Sequence, residues 1–525
     1  MAETVLRRIA AHGRVVLART RRATCVNNSC SVFTEATDTD DIHLSGVKEG
    51  THPKTLAEMP GPPGLPFLGT LPEYARKANQ GQFHEVQRRF HHKYGKIFKE
   101  PFGSVTNVSV ADPSMVEEIL RAEGKYPLRP PYESWVLYNK MRNRTGGIMT
   151  ADGEQWRRCR SAMNSKLNRP KCIGEYVDGI NTVVTSLVER LRYLKNNSSE
   201  GGFVPQLPNE INKFTMEALV WVILEMRLGC LDTTVPPQIQ EFITSVTKMF
   251  LTGSKLVAYA NIQKMLRTKV WKEHVKSWDV IHNIASEYIN SKMVEVESRL
   301  SAGIPEGERV DFLTHLMAGN KMTKEEITNN IIEILMGGVD TAANSMSFLF
   351  YSLAKHSGVQ KKLQTEVDNL LGGRPANYED LQSMPYLKAV VKETLRMYPP
   401  IPVNARIMQD DITIDNYTVP KGTCILLNNY TMSRDATIFN EPESFIPERW
   451  LREESRHWHP FSAIPFGYGA RACIGRRLAE TEMYLATIQI CQNFSLVLSD
   501  KFDITPSVRT QLTPGPELPI QLEER

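Results

Sequence analysis

Phe466-Gly467-Tyr468-Gly469-Ala470-Arg471-Ala472-Cys473-Ile474-Gly475 is the stretch on which the reading of this chain turns. It comes after Pro465 and precedes a run, Arg476 to about Ile490, whose residues suit an amphipathic helix. Gly467, Gly469 and Gly475 remove Cβ bulk and tolerate positive φ, so the backbone can wrap closely around something large. Arg471 places a fixed positive charge just before the sulfur of Cys473. Backbone N–H groups at the start of the next helix would stabilise a thiolate there. A cysteine taken singly is more often buried packing; the pattern around this one argues otherwise.

A thiolate presented by a rigid glycine loop to a flat partner suits the axial position of a haem iron. Composition narrows the other partners. With 63 Lys and Arg against 59 Asp and Glu, and no basic run dominating any segment, nucleic acid is not a partner. The eight cysteines (25, 30, 159, 172, 230, 424, 473 and 491) show no CxxC or zinc-finger spacing, which points to a reducing compartment without a disulfide framework.

Residues 1–35 differ from the rest of the chain. Arg7, Arg8, Arg14, Arg19, Arg21 and Arg22 occur there, and Glu3 is the single acid before Glu35. That is the signature of a mitochondrial transit peptide, with a disordered basic tail as the alternative. No run of about 18 apolar residues offers a transmembrane anchor. Residues 36–56 read as a polar linker, and the Pro/Gly-rich segment Met59-Pro60-Gly61-Pro62-Pro63-Gly64-Leu65-Pro66 is a hinge near the start of a single domain, 57–525.

Five further constellations stand out. Trp156 and Arg160, four apart, share a face of a helix opened by Asp152 and Gly153; ordinary packing with a snorkelling arginine would look the same. Lys324 to Lys355 has helical apolar spacing interrupted by Gly337-Gly338-Val339-Asp340-Thr341. Glycines there cost about 1 kcal/mol each relative to alanine, so either a kink opens room for a ligand or a neighbouring helix packs into a notch. Glu393 and Arg396 can pair along a helix, and if buried they need a further partner such as Arg449. Lys388 and Lys392 share a face, and Arg476-Arg477 come directly after the glycine loop; such residues are commonly just a solvated surface. Between Met249 and Trp271, apolar and basic residues alternate as in a helix lying on a membrane or in one covering a core.

These residues, in this order, resemble the cytochrome P-450 family from about residue 57 to the C-terminus. The resemblance implies a mainly α fold with a small β-sheet region and haem b as cofactor, with Cys473 as the iron ligand. Phe466, Gly467, Arg471 and Gly475 would shape the haem loop, and Trp156, Arg160 and Arg406 would hold the propionates. It further implies that Asp340 and Thr341 deliver protons for oxygen cleavage, that Gly338 leaves space for oxygen, and that Glu393, Arg396 and Arg449 form a structural network.

Within the family, the chain is similar to mitochondrial members, particularly the vitamin-D and sterol side-chain hydroxylases. In these, Lys388, Lys392, Arg476 and Arg477 would dock a [2Fe–2S] ferredoxin supplied by an NADPH-dependent reductase. The implied protein is a monomeric monooxygenase, peripheral on the matrix face of the inner membrane, hydroxylating an apolar lipid. Two alternatives are a microsomal-type enzyme using a flavoprotein reductase and a haem-thiolate binding protein or isomerase without oxygen activation.

Overall fold

The central element is a helix from Lys324 to Lys355, and its start is set by local chemistry. Thr323 accepts the Glu326 N–H (3.1 Å) while the Glu326 carboxylate accepts the Thr323 N–H (2.9 Å), a reciprocal cap. The computed structural model describes residues 52–198, 202–257, 259–305, 307–451, 457–499 and 502–525. The arginine-rich leader 1–35 and most of the linker lie outside them.

Ten described helices reach twelve residues. These are α1 (Phe83–Tyr94), α2 (Gly153–Leu167), α3 (Val177–Asn196), α4 (Leu207–Leu224), α5 (Pro237–Leu256), α6 (Lys269–Ala302), α7 (Lys324–Lys355), α8 (Ser357–Leu371), α9 (Pro385–Met397) and α10 (Arg476–Asn493). Prolines sit in the first turns of α4, α5 and α9, where a missing N–H is harmless. α7 runs through one large apolar core with α3, α4, α9 and α10 around it, and most of its side chains are buried. A helix apolar nearly all round belongs in such a position.

A smaller four-stranded sheet stands on its own apolar cluster. Its strands β1 (Ile97–Phe102), β2 (Val105–Val110), β3 (Asn404–Ile407) and β4 (Cys424–Leu427) are arranged in the order β1-β2-β4-β3. β2 and β4 pair in parallel, with Val108 opposite Ile425, and β3 returns antiparallel with Arg406 opposite Ile425. The Ile407 N–H donates to Leu128 O (3.0 Å), which draws the loop carrying Arg129 to the edge strand that carries Arg406. The fold is thus mainly helical with a small sheet region, as expected.

One expectation needs correction. Met249 to Trp271 is not a continuous helix: α5 ends at Leu256, Tyr259 takes a positive φ of 64°, and Ala260–Met265 forms a separate short helix before α6. Leu256, Ala260 and Trp271 are buried together, whereas Val257, Ile262, Met265 and Leu266 are exposed. Part of this segment therefore covers the core, and part of it leaves apolar side chains exposed. No helix among the described residues is long and apolar enough to cross a membrane.

Candidate active site

The loop 466–475 closes on itself before α10 begins. Gly467 N–H donates to Ile464 O (2.8 Å), Ala472 N–H to Gly469 O (3.1 Å) and Cys473 N–H to Phe466 O (2.8 Å). Gly467 and Gly469 adopt φ of 69° and 76°, which a side chain would strain. Gly475 does not: its φ is −92°, so positive φ is not the reason for glycine there. Phe466 is half-buried against the main core and lies beneath the Arg476 guanidinium, 5.4 Å away. Cys473 is exposed, yet the surrounding protein desolvates its sulfur enough to raise the thiol pKa, with Glu480 adding to the rise, while the Gly475 N–H, Arg160 and Arg476 oppose it by favouring a thiolate.

Around this sulfur the fold assembles more positive charge than the sequence pattern revealed. Arg160 of α2 makes no hydrogen bond or ion pair among the described residues, and burial beside Arg129 pushes it down to about 10. Arg471 is likewise pushed down to about 10 by burial, Arg129 and Arg406. Its guanidinium stacks on Trp156 (3.8 Å), donates to Pro127 O (3.0 Å) and Ala151 O (3.2 Å), and pairs with Asp152 (2.6 Å). Arg406 is buried against Glu123. Four guanidiniums, of Arg129, Arg160, Arg406 and Arg471, therefore face two carboxylates, of Glu123 and Asp152.

An excess of about two positive charges in a partly buried cluster is unfavourable unless a ligand neutralises it. A haem brings two propionates as well as an iron for the thiol, so the donor set fits that group. Asp152, at the N-cap position of α2, makes no side-chain cap bond and holds Arg471 instead.

On α7, Thr341 Oγ1 donates back to Gly337 O (2.7 Å). Asp340 has no polar partner among the described residues, and burial pushes its carboxyl up to about 6. The two glycines serve different purposes. A Cβ on Gly338 would lie 2.6 Å from Leu219 Cδ2, so the glycine serves as a packing notch for α4. Beside it, Thr215 of α4 donates to Val339 O (3.1 Å). At Gly337 a Cβ would find only the Met149 sulfur, 4.0 Å away. α7 shows no interruption at this point.

Glu393 and Arg396 of α9 are fully buried and joined by two bonds of 2.7 and 2.9 Å; Arg449 adds a third of 3.0 Å. The expected triad is assembled, and Trp450 Nε1 and the Ile446 N–H join it. On the outer side of α9, Lys388 donates to Gln382 O (3.2 Å) and Lys392 is exposed near the Trp450 ring (5.9 Å). Arg476 pairs with Glu480 (3.1 Å), Arg477 is exposed, and Glu480 is near enough to favour the charged Lys388. Lys388, Lys392 and Arg476 therefore gather about one region of surface.

Sequence reasoning missed Arg129 and Glu123 at the charged cluster. Their available signal was the segment Lys125-Tyr126-Pro127-Leu128-Arg129-Pro130, where two prolines fix an extended path beside a basic residue.

Known proteins are similar to this chain along most of its length. Cytochrome P450 27C1 of Danio rerio is 36% identical over 485 residues, covering 91% of this chain and 89% of that protein. The mitochondrial 25-hydroxyvitamin D-1 alpha hydroxylase of Mus musculus is 36% identical over 478 residues, covering 90% and 93%. The mitochondrial sterol 26-hydroxylase of Rattus norvegicus is 34% identical over 480 residues, covering 90% and 89%. The family profile described as Cytochrome P450 matches residues 59–523. With its thiol loop, arginine cluster and acid–alcohol pair in the matched region, the chain belongs to the cytochrome P450 family.

Proposed function

We propose that this cytochrome P450 monooxygenase hydroxylates a sterol or secosteroid in mitochondria, drawing electrons from a [2Fe–2S] ferredoxin with its NADPH-dependent reductase. Haem b, the cofactor of the family, supplies oxygen activation and the oxidation of an apolar C–H bond. Everything else is the work of the chain. The observation that carries the reading is the Cys473 thiol, set at the N-terminus of α10 beside Arg160 and a cluster holding two more guanidiniums than carboxylates.

Cys473 would ligate the iron as a thiolate, aided by the Gly475 N–H and by Arg160. Arg129 and Arg160, without other partners among the described residues, and Arg406, Arg471 and Trp156 behind them, would hold the two propionates. Asp340, standing at about 6, can give up and regain a proton near neutral pH, and Thr341 can pass it on through its hydroxyl. Glu393, Arg396 and Arg449 act on folding and haem retention. Lys388, Lys392, Arg476 and Arg477 would receive an acidic ferredoxin, and complementary charge would speed that encounter.

The names of two relatives, a sterol 26-hydroxylase and a 25-hydroxyvitamin D-1 alpha hydroxylase, both mitochondrial, support the substrate class and the compartment. Residues 1–35 would be the transit peptide and 36–56 a linker, leaving 57–525 as one catalytic domain, active as a monomer. Peripheral attachment to the matrix face of the inner membrane is supported by an exposed apolar patch. Tyr259 Oη bonds Phe67 O (3.3 Å), which brings exposed Phe67 and Leu68 beside Val257, Ile262 and Met265. The basic residues Arg267 and Lys269 lie close in sequence.

Reconstitution with each redox system is the test. Product formation from sterol or secosteroid probes should need the ferredoxin pair. Turnover supported equally by a microsomal flavoprotein reductase would overturn the partner assignment, and the absence of substrate-dependent oxygen uptake with every lipid would overturn the monooxygenase reading.

A further inference from the structure

α7 carries a second device, one turn and more before the acid–alcohol pair. Glu325, Asn329 and Glu333 are spaced four apart along one helix face, and all three bind the same segment, residues 145–150. Glu325 Oε1 accepts the Thr145 N–H (3.0 Å) and hydroxyl (3.2 Å). Asn329 Nδ2 donates to Thr145 O (3.1 Å) and Oγ1 (3.0 Å). Glu333, buried, accepts the N–H groups of Gly147 (3.1 Å), Met149 (2.7 Å) and Thr150 (3.3 Å), and the Thr150 hydroxyl. All four partners are donors, and none is a side-chain cation.

Gly147 is fitted to this grip: a Cβ there would stand 2.7 Å from Glu333 Oε2 and 3.0 Å from Asn329 O. The same segment runs on into Ala151 and Asp152, whose oxygens hold Arg471 of the thiol loop. It is therefore a strap tied at one end to α7 and at the other to the loop that carries Cys473. Met149 lies within the strap, its sulfur facing Gly337, one helical turn before Asp340.

We propose that Glu333 is a positioning residue for the hydroxylation. By gripping the backbone on both sides of Met149, it makes that side chain a fixed piece of wall beside Gly337–Thr341. The wall then decides which substrate carbon is presented and how much water reaches the site. A strap that begins Thr145-Gly146-Gly147 has little stiffness of its own. Amides bonded to a buried carboxylate cannot drift without leaving polar groups unpaired on both sides. The inference rests on the monooxygenase reading above.

Glu333→Gln is the test, because it keeps the length and one acceptor oxygen but turns an NH2 donor toward groups that are themselves donors. The variant should load haem and form the normal reduced carbonyl band. Hydrogen exchange of peptides covering 145–152, measured without substrate, should quicken about tenfold or more, while α7 stays protected. With 25-hydroxyvitamin D and cholesterol as probes, one main product should become a mixture, and a larger share of NADPH should end in peroxide and water. Unchanged exchange, or faster exchange with an unaltered product pattern and coupling, overturns the proposal.

Should Glu333→Gln fail to load haem, Thr150→Val removes only the hydroxyl donor, and the same two results decide. A wild-type protein whose haem spectrum responds to neither probe counts against the substrate class alone. The exchange measurement would then still judge the grip.

Discussion

Replacing Glu393 by glutamine gives the most quantitative check on how this fold is held. The carboxylate takes five donors: Arg396 Nη2 (2.7 Å), Arg449 Nε (3.0 Å) and the Ile446 N–H (3.0 Å) on Oε1, and Arg396 Nε (2.9 Å) and Trp450 Nε1 (2.8 Å) on Oε2. The two guanidiniums also donate to the carbonyls of Ser433, Pro442, Ser444, Asn440 and Glu441. One negative charge and five carbonyl dipoles thus offset two buried cations.

In Glu393→Gln an amide oxygen at the Oε1 position keeps three donors. The NH2 group then meets Arg396 Nε and Trp450 Nε1, donor against donor. Two buried donors left unpaired cost about 1–3 kcal/mol each, and removing one partner of a buried ion pair costs about 3–5 kcal/mol. Both routes meet near 3–5 kcal/mol, a large part of a total stability of about 5–15 kcal/mol. Urea unfolding followed by tryptophan fluorescence and haem absorbance measures the loss. Turnover per retained haem should stay near wild type, since none of these residues faces the substrate. A loss below about 1 kcal/mol would refute the view that this network is what ties α9 to residues 433–450.

Four other outcomes test the site. Cys473→Ala should abolish the red-shifted reduced carbonyl band while the protein remains folded; survival of the band would remove Cys473 as ligand. Thr341→Ala should divert most consumed oxygen to peroxide or water and slow product formation by about 10²; fully coupled turnover would contradict its role. Asp340 stands at about 6 in the fold against an ordinary 3.8. The folded state therefore holds the proton more tightly, stability falls as pH rises from about 4 to about 6, and the full penalty, about 3 kcal/mol, applies above that. Asp340→Asn should accordingly unfold later than wild type at about pH 7.5 and together with it at about pH 4; equal stability at both would show the carboxyl to be solvated. Changing Lys388 and Lys392 to Glu should cut ferredoxin-supported turnover by about 10–10³ at low salt and leave peroxide-supported turnover intact; equal loss of both would mean misfolding.

Local signals in the sequence carried a long way. Lys324 to Lys355 could be read as a helix because its apolar spacing is set by helical pitch. Lys388 to Arg396 could be read as a helix with Glu393 and Arg396 on one face, because that geometry is set by helical pitch. Gly467 and Gly469 take the positive φ that a tight glycine loop suggests. Gly475 does not, since glycine identity does not say whether it serves φ or space. At Gly338 the missing side chain leaves room for Leu219, on a helix more than a hundred residues earlier, and such a neighbour cannot be read locally.

The family and the cysteine proposed as iron ligand were legible in the sequence alone, because each is written in contiguous motifs. The charge balance around Cys473 and the grip of Glu333 were not, and they come from packing alone. The first gathers Glu123, Arg129, Arg160, Arg406 and Arg471 from a loop, a helix, an edge strand and the thiol loop. The second joins a helix to backbone N–H groups nearly two hundred residues away, and a backbone N–H carries no residue identity to read. Interactions that depend on which buried groups lack partners emerge only when the whole chain has packed.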